Sequence, residues 1–185
     1  NGAVEQRFES RDTGYKGLAS TGTVLYGPDE TGNLSVLRRT GDADRTNYTA
    51  QNAVAVDGDV AYVISDGQIV AVDLATREQI RSFDAPDGTN RGLAYGAGSL
   101  WYADAVDSPY DGEILELDPV TGEVRSRIHT SYDPYGLAFG DGSLWAGEVT
   151  GVPNTVREFA PNGTQVGQFT MDGPPGSTGP NGLAY

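Results

Sequence analysis

Short apolar runs alternate with polar, glycine-rich breaks along the chain, and one run recurs in a fixed form. It reads Gly17-Leu-Ala-Ser…Val24-Leu25-Tyr26, then Ala53-Val-Ala-Val…Val60-Ala61-Tyr62, Gly92-Leu-Ala-Tyr…Leu100-Trp101 and Gly136-Leu-Ala-Phe…Leu144-Trp145. It opens once more at Gly182-Leu183-Ala184-Tyr185. The large aromatic follows the start of the phrase by nine positions each time, while successive phrases are 36, 39, 44 and 46 residues apart. Self-similarity at this period, carried by runs with no 3.6-residue stripe, predicts a series of stacked β units.

The third repeat is the clearest. It predicts strands over 93–95, 99–105, 113–117 and 123–129, with Gly96-Ala97-Gly98 and Asp118-Pro119-Val120-Thr121-Gly122 as turns. The run 113–117 suits a strand covered on both faces, and 123–129 alternates as a half-exposed outer strand does. The second repeat follows the plan with 60–64, 68–72, a turn at 75–77 and 79–83. The fourth has 144–148, 155–159, the turn Pro161-Asn162-Gly163 and 165–169. In the first, 34–37 is clear and the outer strand, around Tyr48, is weak.

Four strands per repeat predict an all-β propeller of four-stranded antiparallel blades. The blades fall at 17–52, 53–91, 92–135 and 136–181 within a single domain over 1–185. Residues 1–16 then supply the outer strand of a partial blade, over 3–9, and 182–185 begin a further one. A blade without its two middle strands closes a ring poorly, so the chain is expected to be part of a ring of five to seven blades. It opens on Asn1 and not on Met, so removal of a preceding segment is also expected.

The connections are unequal. With the strands of a blade lettered A to D from the axis outward, the A–B and C–D connections are tight. The long segments 85–91, 104–112, 130–135, 147–154 and 171–181 are all B–C or D–A connections. In an up-and-down blade those two emerge on one face, which is the expected working face, because variable loops on a rigid scaffold carry binding.

Charge narrows the partners. There are 26 acidic residues against 12 basic ones, a formal net charge of −14; seventeen acids are Asp, and the bases are eleven Arg and Lys16. Such a surface repels nucleic acid, so no nucleic-acid partner is expected. Dense carboxylates with almost no Lys suit concentrated salt, which screens their repulsion, and point to a halophilic microbe. The absence of Cys excludes thiolate metal sites and disulfides. No apolar run is long enough to span a bilayer, so direct membrane insertion is not expected. Three sequons, Asn33-Leu34-Ser35, Asn47-Tyr48-Thr49 and Asn162-Gly163-Thr164, suit glycosylation of Asn33, Asn47 and Asn162 in an extracellular or cell-surface protein.

Catalytic chemistry is thinly represented. His129 is the sole histidine and falls on an outer strand, away from the axis. The strand-B aromatics Tyr26, Tyr62, Trp101 and Trp145 share one register and are expected between blades. Three positions further on stand Asp29, Ser65, Asp104 and Glu148, either loop caps or acceptors for a cation or a polyhydroxylated ligand. Immediately before each phrase stand Lys16, Asn52, Arg91, Tyr135 and Asn181, which should ring the channel mouth on the working face. Asn52, Arg91, Tyr135 and Asn181 are the candidate ligand-binding residues. Asp104, Asp107, Asp111 and Glu113 fall close enough in sequence for a local site for Ca2+ or another divalent metal, with Glu148 as a further candidate ligand.

The repeated Gly-Leu-Ala-aromatic…Gly-Ser-Leu-Trp followed by Asp-Pro-x-Thr-Gly-Glu-Val resembles the NHL/YVTN-like and streptogramin-lyase-like β-propellers over essentially the whole chain. Gly179-Pro180-Asn181-Gly182-Leu183 also resembles a phrase of the regucalcin/gluconolactonase family, and the resemblance implies a metal-ligand role for Asn181, with Asn52 conforming and Arg91 and Tyr135 departing. Streptogramin lyases use catalytic His, which His129 alone does not match. Glutaminyl cyclotransferase-type propellers carry a Glu in a Gly-Leu-Glu phrase; here that position is Ala19, Ala94, Ala138 and Ala184.

These readings point first to a secreted or cell-surface binding module that holds a protein or small-molecule ligand on its long-loop face. The alternative is a metal-dependent lactonase, or related hydrolase or lyase, with Asn52 and Asn181 as ligands and Asp104 or Glu148 as base. The third is a structural component of a surface layer or appendage, assembling with further copies or missing blades.

Overall fold

The described strands form four antiparallel sheets of four, each a simple meander in chain order. The computed structural model describes residues 19–20, 24–28, 33–38, 43–49, 53–86, 92–108, 111–148, 154–171 and 183; for 20–49, 105–108, 154 and 171 the backbone alone is described. Sheet 1 comprises β1 (Ala19–Ser20), β2 (Val24–Pro28), β3 (Asn33–Arg38) and β4 (Ala43–Thr49). Sheet 2 comprises β5 (Val54–Asp57), β6 (Val60–Ser65), β7 (Gln68–Asp73) and β8 (Gln79–Asp84). Sheet 3 comprises β9 (Gly92–Gly96), β10 (Ser99–Ser108), β11 (Asp111–Leu117) and β12 (Val124–Thr130). Sheet 4 comprises β13 (Pro134–Gly140), β14 (Ser143–Glu148), β15 (Asn154–Phe159) and β16 (Gln165–Met171). The described residues contain no helix.

First strands neighbour one another in sequence, β1 beside β5, β5 beside β9 and β9 beside β13. The sheets are therefore blades set around the line of their first strands. In sheets 2 and 3 the second and third strands are covered on both sides, which is why their apolar runs barely alternate. In β10, Leu100 and Tyr102 pack toward sheet 2 with Tyr62, Ile64 and Ile69, while Trp101 and Ala103 pack toward sheet 4 with Leu137, Leu144 and Ala146. The core is thus divided into layers between blades.

Turn chemistry fixes the register. Asp66-Gly67, Ala97-Gly98 and Asp141-Gly142 each place two consecutive residues at positive φ, between 48° and 78°. Those are the angles of the two-residue hairpin turns that match strand twist. The C–D turns use a side chain: Asp73 Oδ1 accepts from the amides of Ala75 and Thr76 at 2.9 and 2.8 Å. Asp118 Oδ1 does the same with Val120 and Thr121 at 2.7 and 3.0 Å. These bonds, first Thr121 and Val120 and then Arg125, hold the Asp118 carboxyl down at about 2.

One expectation is corrected. The predicted long loop 104–112 is mostly hairpin arm: Asp104 stands opposite Glu113, Ala105 opposite Gly112 and Ser108 opposite Asp111, with a bulge between Ala105 and Ser108. Its acidic residues read as loop because cross-strand bonding continues past the end of the apolar run. In the first repeat, the outer strand expected around Tyr48 is present as the seven-residue β4, although its sequence Ala-Asp-Arg-Thr-Asn-Tyr-Thr is almost wholly polar. The connections are also uneven, since β6 and β7 are joined by the two-residue turn Asp66-Gly67.

Candidate functional site

Polar burial is concentrated where B–C and D–A connections meet between sheets 3 and 4. β12 ends at Thr130, whose hydroxyl donates to the Tyr132 carbonyl at 2.6 Å and turns the chain toward β13. Gly112 lies against that turn, and a Cβ there would run into the ring of Pro134. The turn buries Tyr132, which joins the layer between the two sheets alongside Ile114, Ile128 and Leu137.

Arg157 comes up from β15 and lays its guanidinium over the Tyr132 ring, 4.7 Å from the centroid. Its Nε and Nη2 donate to Glu148 Oε2 at 3.3 and 2.9 Å, and its Nη1 donates to Gln168 Oε1 at 2.8 Å. The Tyr132 hydroxyl is buried and has no hydrogen-bond partner among the described residues. Burial pushes the Tyr132 phenol above the usual tyrosine range, with Arg157 opposing and Glu148 adding to the shift. Asp133 and Thr155 are buried beside this group in sequence and register, Thr155 standing directly opposite Glu148.

Asp104 and Glu148 occupy equivalent places at the ends of β10 and β14, but they belong to different layers. Asp104 shares the face of Leu100 and Tyr102, turned toward sheet 2, and Glu148 shares the face of Leu144 and Ala146, turned toward sheet 3. Glu148 is engaged by Arg157. Glu113, opposite Asp104, takes Arg127 Nη1 on one oxygen at 2.6 Å and His129 Nδ1 on the other at 2.9 Å. Asp111 is exposed, and the Asp107 side chain lies outside the described residues. Among the described residues no group of three or more His, Asp or Glu converges to hold a metal ion.

Of the expected channel-mouth residues, Tyr135 lies half-buried near the start of β13, the innermost strand of sheet 4; Asn52, Arg91 and Asn181 lie outside the described residues. Asn33 and Asn47 are placed by backbone on β3 and β4. Asn162 is exposed in the turn between β15 and β16, where its Oδ1 accepts from the Thr164 amide at 3.0 Å. His129 is 77% exposed on β12.

Tyr132, Asp133 and Arg157 are not among the residues that the repeat pattern singles out. One signal was present for Arg157. Its register counterparts are Val70 and Leu115, so a charge stands at a core position of the third strand. Tyr132 and Asp133 lie in a linker, where the repeat has no counterpart to compare.

No protein-family model matches the chain, and neither does any curated protein. Solved structures do. The glutaminyl cyclase of Myxococcus xanthus matches over 83% of this chain and 69% of its own, at 18% identity and a TM-score of 0.64. The hydrazine synthase of Kuenenia stuttgartiensis matches over 92% of this chain and 53% of its own, at 17% identity and a TM-score of 0.63. The computationally designed Ika4 protein matches over 83% and 95% respectively, at 17% identity and a TM-score of 0.57. Together with the four-stranded meanders, these likenesses show a β-propeller fold. At the position where glutaminyl cyclotransferase-type propellers carry Glu, Ala94 and Ala138 are buried between sheets.

Proposed function

We propose that the chain is a binding module, secreted or displayed at the surface of a microbe living in concentrated salt. It takes a polar small molecule or a protein partner on the face where B–C and D–A connections emerge. The observation that carries this reading is the uneven placement of buried polar side chains. Asp104, Thr130, Asp133 and Thr155, each 6–7% exposed, lie at that end of sheets 3 and 4, while Ser99 lies at the other. Withdrawing such groups from water costs roughly 1–3 kcal/mol each before compensation. Packing between blades does not call for that cost at one end, and ligand recognition does. Tyr135 opens onto the same end, and Asn52, Arg91 and Asn181 share its place in the repeat. The exposed sequon at Asn162 and the acidic surface support the extracellular, high-salt setting.

Hydrogen–deuterium exchange against a panel of sugars, polyols, amino acids and short peptides tests the site. Protection is expected at 130–135 and around Glu148 and Thr155. Asp133→Asn and Tyr135→Ala should each weaken binding about tenfold, equivalent to about 1.4 kcal/mol, with little change in thermal midpoint. Protection confined to the opposite turns at 97–98 and 141–142 would overturn the reading. Hydrolysis of glucono-δ-lactone on addition of a divalent metal would replace it with the lactonase reading that Pro180-Asn181-Gly182-Leu183 motivates.

A further inference from the structure

Sheets 2 and 3, and again sheets 3 and 4, meet through the same two contacts. At the inner one, the large aromatic of a second strand lies under the aromatic that ends the next sheet's phrase. Tyr62 lies under Tyr95, centroids 5.9 Å apart and planes 6° from parallel, and Trp101 under Phe139, at 6.4 Å and 16°. At the outer one, the C–D turn of the following sheet rests on an apolar residue of the preceding outer strand, at a glycine. A Cβ on Gly122 would run into Phe83, and one on Gly163 would come within 3.2 Å of Ile128.

Sheet 4 carries both acceptors of this pattern. Trp145 stands opposite Ala138 as Tyr62 stands opposite Ala55 and Trp101 opposite Ala94. Phe169 stands opposite Val156 as Phe83 stands opposite Ile69 and Ile128 opposite Ile114. The two share one face, their rings 6.2 Å apart and tilted by 55°. That face differs from its counterparts in two respects. Phe169 is 49% exposed where Ile128 is 6% exposed. The buried Trp145 indole N–H has no partner among the described residues, where that of Trp101 donates to the Gly96 carbonyl at 3.2 Å.

We propose that this face of sheet 4 is the seat of the next blade's first strand, and that its occupant is the chain's own segment Gly182-Leu183-Ala184-Tyr185, with the Tyr185 ring lying on Trp145. The argument is continuity of an interface already formed twice. Tyr185 holds the phrase position of Tyr95 and Phe139, and it follows its aromatic partner by 40 residues where those follow theirs by 33 and 38. Leu183, the described residue of the segment, is half-buried; its counterparts Leu93 and Leu137 are buried in the layers between blades. Phe169, further out, is the matching seat for that blade's C–D turn.

The test is NMR on the intact chain, read for cross-relaxation between the Trp145 indole and Tyr185 ring protons, with a double-mutant cycle on thermal unfolding. The proposal expects cross-peaks, a lowered midpoint for Tyr185→Ala in the parent, no further effect in a Trp145→Ala background, and rescue by Tyr185→Phe. Absent cross-peaks with additive effects would overturn it. So would a dimer by light scattering that Phe169→Ser dissociates and Tyr185→Ala does not, because a second copy would then hold the face.

Discussion

Tyr95 ties two blades together through Tyr62. The Tyr95 ring, at the end of β9, lies flat on the Tyr62 ring of sheet 2, centroids 5.9 Å apart and planes 6° from parallel. Arg81 in turn donates from Nη2 to the Tyr62 hydroxyl at 3.2 Å and from Nε to the Pro119 carbonyl at 3.1 Å. Sheets 2 and 3 are thus joined by a polar chain laid over an aromatic stack.

Alkaline pH should loosen that joint. Burial, then the hydrogen bond and the charge of Asp57, push the Tyr95 phenol up to about 12. A raised pKa means that folding favours the neutral phenol, so its contribution is whole below the ordinary value of about 10 and is lost as pH rises through 12. Urea unfolding at pH 9 and pH 11.5 should show a smaller loss for Tyr95→Phe than for the parent. Replacing the ring by Leu should also forfeit about 0.5–1.5 kcal/mol of stacking at neutral pH.

Trp101 should be the costliest single truncation in sheet 3. It is 1% exposed, stacks on Phe139 and donates its indole N–H to the Gly96 carbonyl. Trp101→Ala opens a cavity on the sheet 4 side of β10 and should cost about 3–5 kcal/mol by denaturant unfolding. Trp101→Phe keeps the stack and should cost much less.

The Glu148–Arg157 pair should behave as a unit with Tyr132. Its side chains are 16% and 23% exposed, so water screens it weakly. Arg157→Met retains some cover for the Tyr132 ring but leaves Glu148 without its described partner, at an expected cost of about 1–3 kcal/mol. Adding Glu148→Gln should recover part of that loss. A cycle with no coupling between the two changes would show that the pair does not hold the site together.

One turn is open to improvement. Ala97 adopts φ 54° at the first position of its two-residue hairpin turn, a position held by Asp141 in the matching turn of sheet 4 and by Asp66 in the β6–β7 turn. Alanine has no side-chain group to stabilise that conformation locally, and Asn does. Ala97→Asn should raise stability by about 0.5–1 kcal/mol, visible as a higher thermal midpoint.

Most of the fold was legible because blade-forming signals are local. The phrase, the aromatic nine residues on and the Asp-Gly or Asp-x-x-Thr turns each act over a few residues, and their repetition reinforces them. The hairpin arm at 104–112 was not legible, because its polar residues hide an extended backbone that only a partner strand supports. The polar strand β4 was legible in place, around Tyr48, though its signal is weak. The site was legible as a face but not as a group. Register brought out Asp104 and Glu148 yet could not say that they look into different layers. Tyr132 and Arg157 meet across 25 residues of chain, through one linker and one break in the pattern.

The C–D turns should set the acid limit of sheet 3. Asp118 is held at about 2, first by the amides of Thr121 and Val120 and then by Arg125, whose Nη2 lies 2.6 Å from Oδ2. A lowered pKa means that folding favours the carboxylate. The contribution is therefore present above the ordinary value near 3.8 and is lost as pH falls through about 2. Asp118→Asn keeps an acceptor for the two amides without the charge, so its thermal midpoint should fall less than the parent's between pH 5 and pH 2. Salt separates the causes. Arg125 is 41% exposed, and its attraction should fade in about 1 M salt, where the screening length is about 3 Å, while the amide bonds persist. The parent should therefore keep most of its acid sensitivity at high salt. If salt abolished the difference between parent and variant, Arg125 would be the main cause and the two amides secondary.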